Sequence, residues 1–163
     1  MRILLVDDHQ MVRLGLKSFF ELQDDIEEVT EATNGREGVE KALESRPDVI
    51  MMDIVMPEMS GIDATLAILK EWPEAKILIL TSYLDNEKIY PVLDAGARGY
   101  MLKTSSADEI LHAVRKVAKG EFAIETEVSK KVEYHRNHIE LHEDLTARER
   151  DILGLLAKGY ENQ

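Results

Sequence analysis

Five short apolar blocks punctuate the first 120 residues, at positions 2–6, 28–32, 49–52, 76–80 and 99–102. Three are apolar nearly throughout, as expected of strands buried on both faces of a parallel sheet. Between them, apolar positions recur with helical spacing. Asn34 caps one helix, with Glu37 three residues on, and Val39, Ala42 and Leu43 line its inner face. Another begins near Ser60 and is expected to bury Ile62, Leu66 and Leu69. A further one runs from Ser106 to Lys119, with Ile110, Val114, Val117 and Ala118 inward, and Gly120 ends it. Five β–α units in this length predict an α/β fold: a doubly wound, five-stranded parallel sheet with the flavodoxin-like order 2-1-3-4-5.

Two helices carry irregular patterns. In the first, from Gln10 to Leu22, Val12, Leu16, Phe19 and Phe20 suffice to face the sheet. Met11 and Leu22 widen the apolar arc and Leu14 lies outside it. This surplus predicts a partner surface, a homodimer through helix 1 with helix 5, the alternative being a helix 4–strand 5–helix 5 face. The fourth helix, from Asn86 to Ala95, contains Pro91. Proline removes a backbone donor at a cost of about 3 kcal/mol. Either the helix is weakened there or it begins later, with Pro91 in its first turn.

Residues 121–144 are densely charged with loose apolar spacing, the pattern of a linker, partly helical between Glu125 and Asn137. His135, His138 and His142 would share one helical face and could bind zinc, but solvated polar residues explain them better. At 145–163 a helix starts at Thr146, which forms a capping box with Glu149. Ile152, Leu153, Leu155 and Leu156 give it an apolar face, and Gly159 sits where a C-terminal cap belongs. A lone helix of about 12 residues is marginal in water, so this one needs a partner that the sequence does not contain.

Composition narrows the function. The 163 residues include no cysteine, which excludes disulfides and thiolate metal sites. The net charge of −12 repels nucleic-acid phosphates unless basic residues cluster, and they do not. No apolar run approaches the ~20 residues of a bilayer span. The start meets Asp7 and Asp8 before a signal-peptide core could form, so the expected location is the cytoplasm, with no membrane partner.

Ligands bind a doubly wound sheet beyond the carboxyl ends of its strands. Those ends supply Asp7 and Asp8 after strand 1, Asp53 after strand 3, Thr81 after strand 4 and Lys103 after strand 5. Singly, aspartate and threonine at such turns are ordinary helix caps. Together they describe a site. Converging carboxylates repel one another, and a hard divalent cation such as Mg2+ relieves that repulsion. Asp53 would be the nucleophile that takes a phosphoryl group as an acyl phosphate. The cation and Lys103 would offset charge on the phosphoryl oxygens, and Thr81 would donate a hydrogen bond to one of them.

Val6-Asp7-Asp8, the run from Asp53 through Pro57 to Gly61, Leu80-Thr81-Ser82 and Gly99-Tyr100-Met101-Leu102-Lys103 resemble the receiver domain of two-component response regulators across residues 1–120. Leu145-Thr146-Ala147-Arg148-Glu149 resembles the opening of the helix-turn-helix domain of the NarL/LuxR class, incomplete here. Within that class the chain is most similar to cell-envelope-stress regulators of Gram-positive bacteria. The resemblance implies phosphorylation of Asp53 by a sensor histidine kinase. It implies Mg2+ held directly by Asp8, by Asp53 and by the Val55 backbone carbonyl, with Asp7 acting mainly through water. It implies Thr81 and Tyr100 as a switch pair, the ring turning inward behind the hydroxyl, and Lys103 as the phosphate-pairing lysine. DNA would be bound only through a complete C-terminal domain. Thr104 stands where many receivers have proline, and no cis bond is expected there.

Val55 and Tyr83 lie two residues beyond Asp53 and Thr81, beside the path of attacking water in receivers. Side chains of these types would exclude that water and give a long-lived acyl phosphate. His9 receives no role. The competing reading is a magnesium-dependent hydrolase of the haloacid-dehalogenase type. Its nucleophile follows the first strand in an Asp-x-Asp pattern, whereas Asp7 and Asp8 are adjacent here. A third reading, a bare interaction module, is disfavoured by the complete acid, hydroxyl and lysine set.

Overall fold

The computed structural model describes residues 1–82, 85–125, 129–130, 133, 152 and 154–156. The expected alternation is present: β1 (Arg2–Val6), α1 (Gln10–Phe20), β2 (Glu28–Ala32), α2 (Gly35–Ser45), β3 (Val49–Met52), α3 (Gly61–Glu71), β4 (Ile77–Thr81), α4 (Asn86–Ala95), β5 (Gly99–Leu102), α5 (Ala107–Ala118) and β6 (Ala123–Ile124). The sheet is parallel, in the order β2-β1-β3-β4-β5-β6. The predicted five-strand order is therefore intact, and a two-residue strand is added at its edge. That strand lies in the stretch expected to be linker. Two residues are too few to show a strand period in sequence.

Residues of alternate parity along the strands feed two apolar layers. Leu4, Val6, Ile50, Met52, Ile77 and Ile79 pack with Ala42, Ala64, Ile68, Ile89 and Leu93 of α2, α3 and α4. Ile3, Leu5, Met51, Leu78 and Leu80 pack with Phe20 of α1 and Ile110, Leu111, Val114 and Val117 of α5. Ile152 and Leu156 are buried in the first layer. A partner from outside the chain was expected for this segment, but these two residues pack instead against the receiver's own core.

The caps follow the sequence closely. Asn34 Oδ1 accepts from the Glu37 N–H, Ser60 Oγ from the Asp63 N–H, and Ser106 with Glu109 forms a complete capping box. Glu37, expected to complete a box with Asn34, instead takes the backbone N–H and hydroxyl of Thr33.

Several local expectations are corrected. β4 runs one residue later than the 76–80 block, so Thr81 ends the strand rather than following it. α1 stops at Phe20, because the Glu21, Leu22 and Gln23 N–H groups close a tightened last turn onto Lys17, Phe19 and Phe20. Leu22 therefore lies beyond the helix. α3 is turned from its predicted phase: Gly61, Ala64, Thr65 and Ile68 are buried, Ile62 and Leu69 pack against the core at partial burial, and only Leu66 of the expected three is exposed, at 50%. Small residues let this helix approach the sheet closely, and size outweighs hydrophobicity in choosing the buried stripe. α4 is continuous from Asn86 to Ala95 with Pro91 inside, so it neither begins late nor breaks. Asp85 caps its start and Gly96, at φ 117°, closes its end.

Tyr83 and Leu84 lie outside the described residues, as do His135, His138, His142, Thr146 and Glu149. No helix among the described residues is long and apolar enough to cross a membrane.

Candidate functional site

Backbone hydrogen bonds assemble the site before any side chain acts. β1 and β3 are neighbours with Val6 opposite Met52, so Asp7 and Asp53 emerge side by side. The Asp53 N–H donates to the Val6 carbonyl at 2.9 Å, and the Asp7 N–H to the Ala32 carbonyl at 3.1 Å. Across β4 and β5, the Lys103 N–H donates to the Thr81 carbonyl at 2.8 Å. Residues far apart in the chain therefore meet at one edge of the sheet, beyond its carboxyl ends.

Side chains complete the cluster. Lys103 Nζ lies 2.6 Å from Asp7 Oδ2 and 3.0 Å from Asp53 Oδ2. Asp7, Asp53 and Thr81 are buried, whereas Asp8 is open to solvent. Burial is the main reason the Asp53 carboxyl is pushed above its ordinary pKa. The charge of Asp7 adds to this, and the lysine contacts oppose it without prevailing. Burial also lowers the pKa of Lys103, but its bonds to Asp7 and Asp53 outweigh that and hold the ammonium form.

His9, to which the sequence reading gave no role, belongs to the cluster. Its ring does not cap α1, and Nδ1 lies 3.0 Å from both Asp7 Oδ1 and Asp8 Oδ1 and 4.0 Å from Asp53 Oδ2. Ligand atoms of Asp7, Asp8, His9 and Asp53 all fall within 4.8 Å of one another. This donor set is rich in hard oxygen and fits a Mg2+ ion, which takes a few carboxylates and keeps several waters. The Val55 side chain is half exposed. Tyr100 is fully buried. Burial raises its phenol pKa, with smaller contributions from Asp85 and Asp53.

Two further residues support the site in ways that only the fold reveals. Arg13 donates to the Asp7 carbonyl at 2.8 Å and pairs with Glu31, tying α1 to the site. Gly61 opens α3 directly over Asp53: its N–H bonds the Ile54 carbonyl at 2.8 Å, and a Cβ there would overlap the Asp53 carbonyl. In the turn between them, Glu58 adopts φ 66°, an unusual conformation for a side-chain-bearing residue. The Gly in Pro57-Glu58-Met59-Ser60-Gly61 was legible as a motif residue, but its packing reason was not.

A profile of the response regulator receiver domain matches residues 3–115. The chain belongs to the response regulator receiver family. It is 50% identical to the transcriptional regulatory protein LiaR of Bacillus subtilis over 166 residues, which covers 99% of this chain and 79% of that protein. It is 47% identical to the response regulator protein VraR of Staphylococcus aureus over 163 residues, covering 99% of this chain and 78% of VraR. Among solved structures it is similar to a LuxR-family two-component response regulator from an Aurantimonas species, with TM-score 0.78 and 32% identity over 83% of this chain and 96% of the other. This receiver is thus a two-component signalling module of the LiaR/VraR type. Response regulators of this kind are phosphorylated by sensor kinases and bind DNA. The haloacid-dehalogenase alternative is not supported: the receiver-domain profile, the relatives and the solved structures all point to a response regulator.

Proposed function

We propose that Asp53 accepts a phosphoryl group from the phosphohistidine of a sensor kinase and that the charged edge of the sheet uses it to bias conformation. The observation that carries this reading is the Lys103 ammonium held between Asp7 and Asp53. An Asp53 oxygen attacks phosphorus, the bond from phosphorus to the donor imidazole breaks, and that imidazole keeps the electron pair. The product is an acyl phosphate, with the phosphoryl charge facing Lys103 and the Thr81 hydroxyl.

Asp8, Asp53 and the Val55 carbonyl would hold Mg2+ directly, with Asp7 mainly through water and His9 at the rim. The ion, when bound, neutralises charge on the transferring oxygens. Phosphorylation adds about −1.5 to −2 charge at one point, and Thr81 and Lys103 then gain a partner, which favours one of two arrangements of β4, α4 and Tyr100. The chemistry is stoichiometric self-labelling rather than turnover, and the half-exposed apolar Val55 supports slow hydrolysis.

Output would be a homodimer through α1, whose Met11 and Leu14 are 76% and 55% exposed, with Leu22 just beyond it at 81%. Arg115 of α5 clamps Asp25 with bonds of 2.8 and 2.9 Å, so α1's following turn and α5 form one surface. Transcription control in the cytoplasm would follow through a complete C-terminal DNA-binding domain, in the envelope-stress setting the sequence resembles.

Incubation with acetyl phosphate and Mg2+ tests this reading by intact mass. One phosphoryl group per wild-type chain is expected, and none on Asp53→Asn. Equal labelling of the two proteins, or none on either, rejects it.

A further inference from the structure

The loop carrying Lys103 is gripped from a second side by Glu125, the residue that follows β6. One carboxylate oxygen, Oε2, accepts from the Leu102 N–H at 2.8 Å and from Ser105 Oγ at 3.0 Å. These two donors flank Lys103 in sequence. The main chain of Glu125 joins in: its N–H donates to the Tyr100 carbonyl at 3.1 Å, and its carbonyl accepts from the Ser129 N–H at 2.9 Å.

The physical reason is the shortness of β6. Gly99 pairs with Ala123 and Tyr100 with Ile124, and there the strand ends. Leu102 continues β5 past that point, and its outward N–H is bonded by the Glu125 carboxylate instead of a further β6 residue. On the inner side the Lys103 N–H is already bonded to Thr81. The backbone of the lysine is thus fixed between two clamps, one from β4 and one from Glu125. A carboxylate that accepts two hydrogen bonds on one oxygen is a strong clamp, because an ionised acceptor bonds roughly twice as strongly as a neutral one.

We propose that Glu125 is a positioning residue for phosphoryl transfer. It fixes the reach of Lys103 toward Asp53, and through Ser129 it ties any displacement of that loop to the chain leaving the sheet. This inference rests on the reading of Asp53 as phosphoacceptor and Lys103 as its cationic partner.

The test measures initial labelling rates by acetyl phosphate at saturating Mg2+, on the full chain. Glu125→Ala should label about tenfold more slowly at saturating donor, with the half-saturating donor concentration unchanged. Glu125→Gln keeps an oxygen acceptor and should recover to within about twofold of wild type. The decisive arm is a double-mutant cycle. In a Lys103→Gln background, Glu125→Ala should cost nothing further, since its effect passes through the lysine. A loop brace with no part in transfer would lower the urea midpoint but leave the rate alone, or slow both backgrounds equally, and either result overturns the proposal. If wild type takes no label, or Asp53→Asn labels equally, the underlying reading fails instead.

Discussion

Lys103 reaches Asp53 across 50 residues of sequence, its Nζ 3.0 Å from the carboxylate oxygen and both groups largely buried. The pair is costly to break from one side, because a buried charge stripped of its partner is destabilising by about 3–5 kcal/mol. Lys103→Met should therefore lower the stability of the metal-free protein by about 2–3 kcal/mol, somewhat relieved by protonation of a carboxyl group. Urea denaturation in EDTA, followed by circular dichroism, checks this. An unchanged midpoint would mean that the lysine is not the counter-charge.

Magnesium should act in the opposite direction. A ligand that binds only the folded state stabilises by about 2.7 kcal/mol at a hundredfold excess over its dissociation constant. Millimolar Mg2+ is expected to raise the wild-type urea midpoint and to leave Asp8→Ala unmoved. Titration calorimetry should show binding in the first protein alone. Equal binding by both would remove Asp8 from the ligand set.

Two glycines make a matched pair. Gly61→Ala forces a methyl group against the Asp53 carbonyl, and should cost about 2 kcal/mol or more while slowing labelling at Asp53. Gly15, on an exposed turn of α1, has nothing within 4 Å of an added Cβ. Gly15→Ala should stabilise the protein by about 0.5–1 kcal/mol with labelling unchanged. The same urea series reads both variants.

Glu37 predicts a pH dependence. Its pKa falls from 4.5 to about 2, chiefly through Lys41 and then the Thr33 N–H. The folded state therefore holds this carboxylate charged more strongly than the unfolded chain does. The stabilisation is complete above about pH 4.5 and is lost as pH falls toward 2. The side chain is a third exposed, so solvent screening limits the effect to about 1 kcal/mol. Glu37→Gln should lower stability at pH 7 and match wild type near pH 2. A constant difference at every pH would contradict the linkage.

Self-association should depend on α1. Met11→Glu is expected to abolish the phosphorylation-promoted dimer in sedimentation experiments while leaving labelling of Asp53 intact. An unchanged dimer would move the interface to α4, β5 and α5.

The strand order and the residues at the strand ends were legible because buried parallel strands announce themselves as apolar runs, and each run is followed by its polar residue. The convergence of Asp7, Asp53 and Lys103 needed only the order 2-1-3-4-5. What escaped was set by size and by contact at a distance. Leu66 was expected inside because it is apolar, but Gly61 and Ala64 face the sheet because they are small. His9 carries no pattern around it, and its place between two carboxylates depends on how α1 begins. Glu125 sat among many other charges in a stretch with no period, and only the abrupt end of β6 gives it work.

The chain's single tryptophan, Trp72, ends α3 and stacks under the Arg46 guanidinium, 5.5 Å from the ring centre. Helices here run back against the strands, so the indole stands at the amino-end edge of the sheet, opposite the acidic cluster. Its emission therefore reports the melting of the whole domain and is nearly blind to events at Asp53, which makes it a clean optical reference for unfolding and a poor sensor of the signal itself.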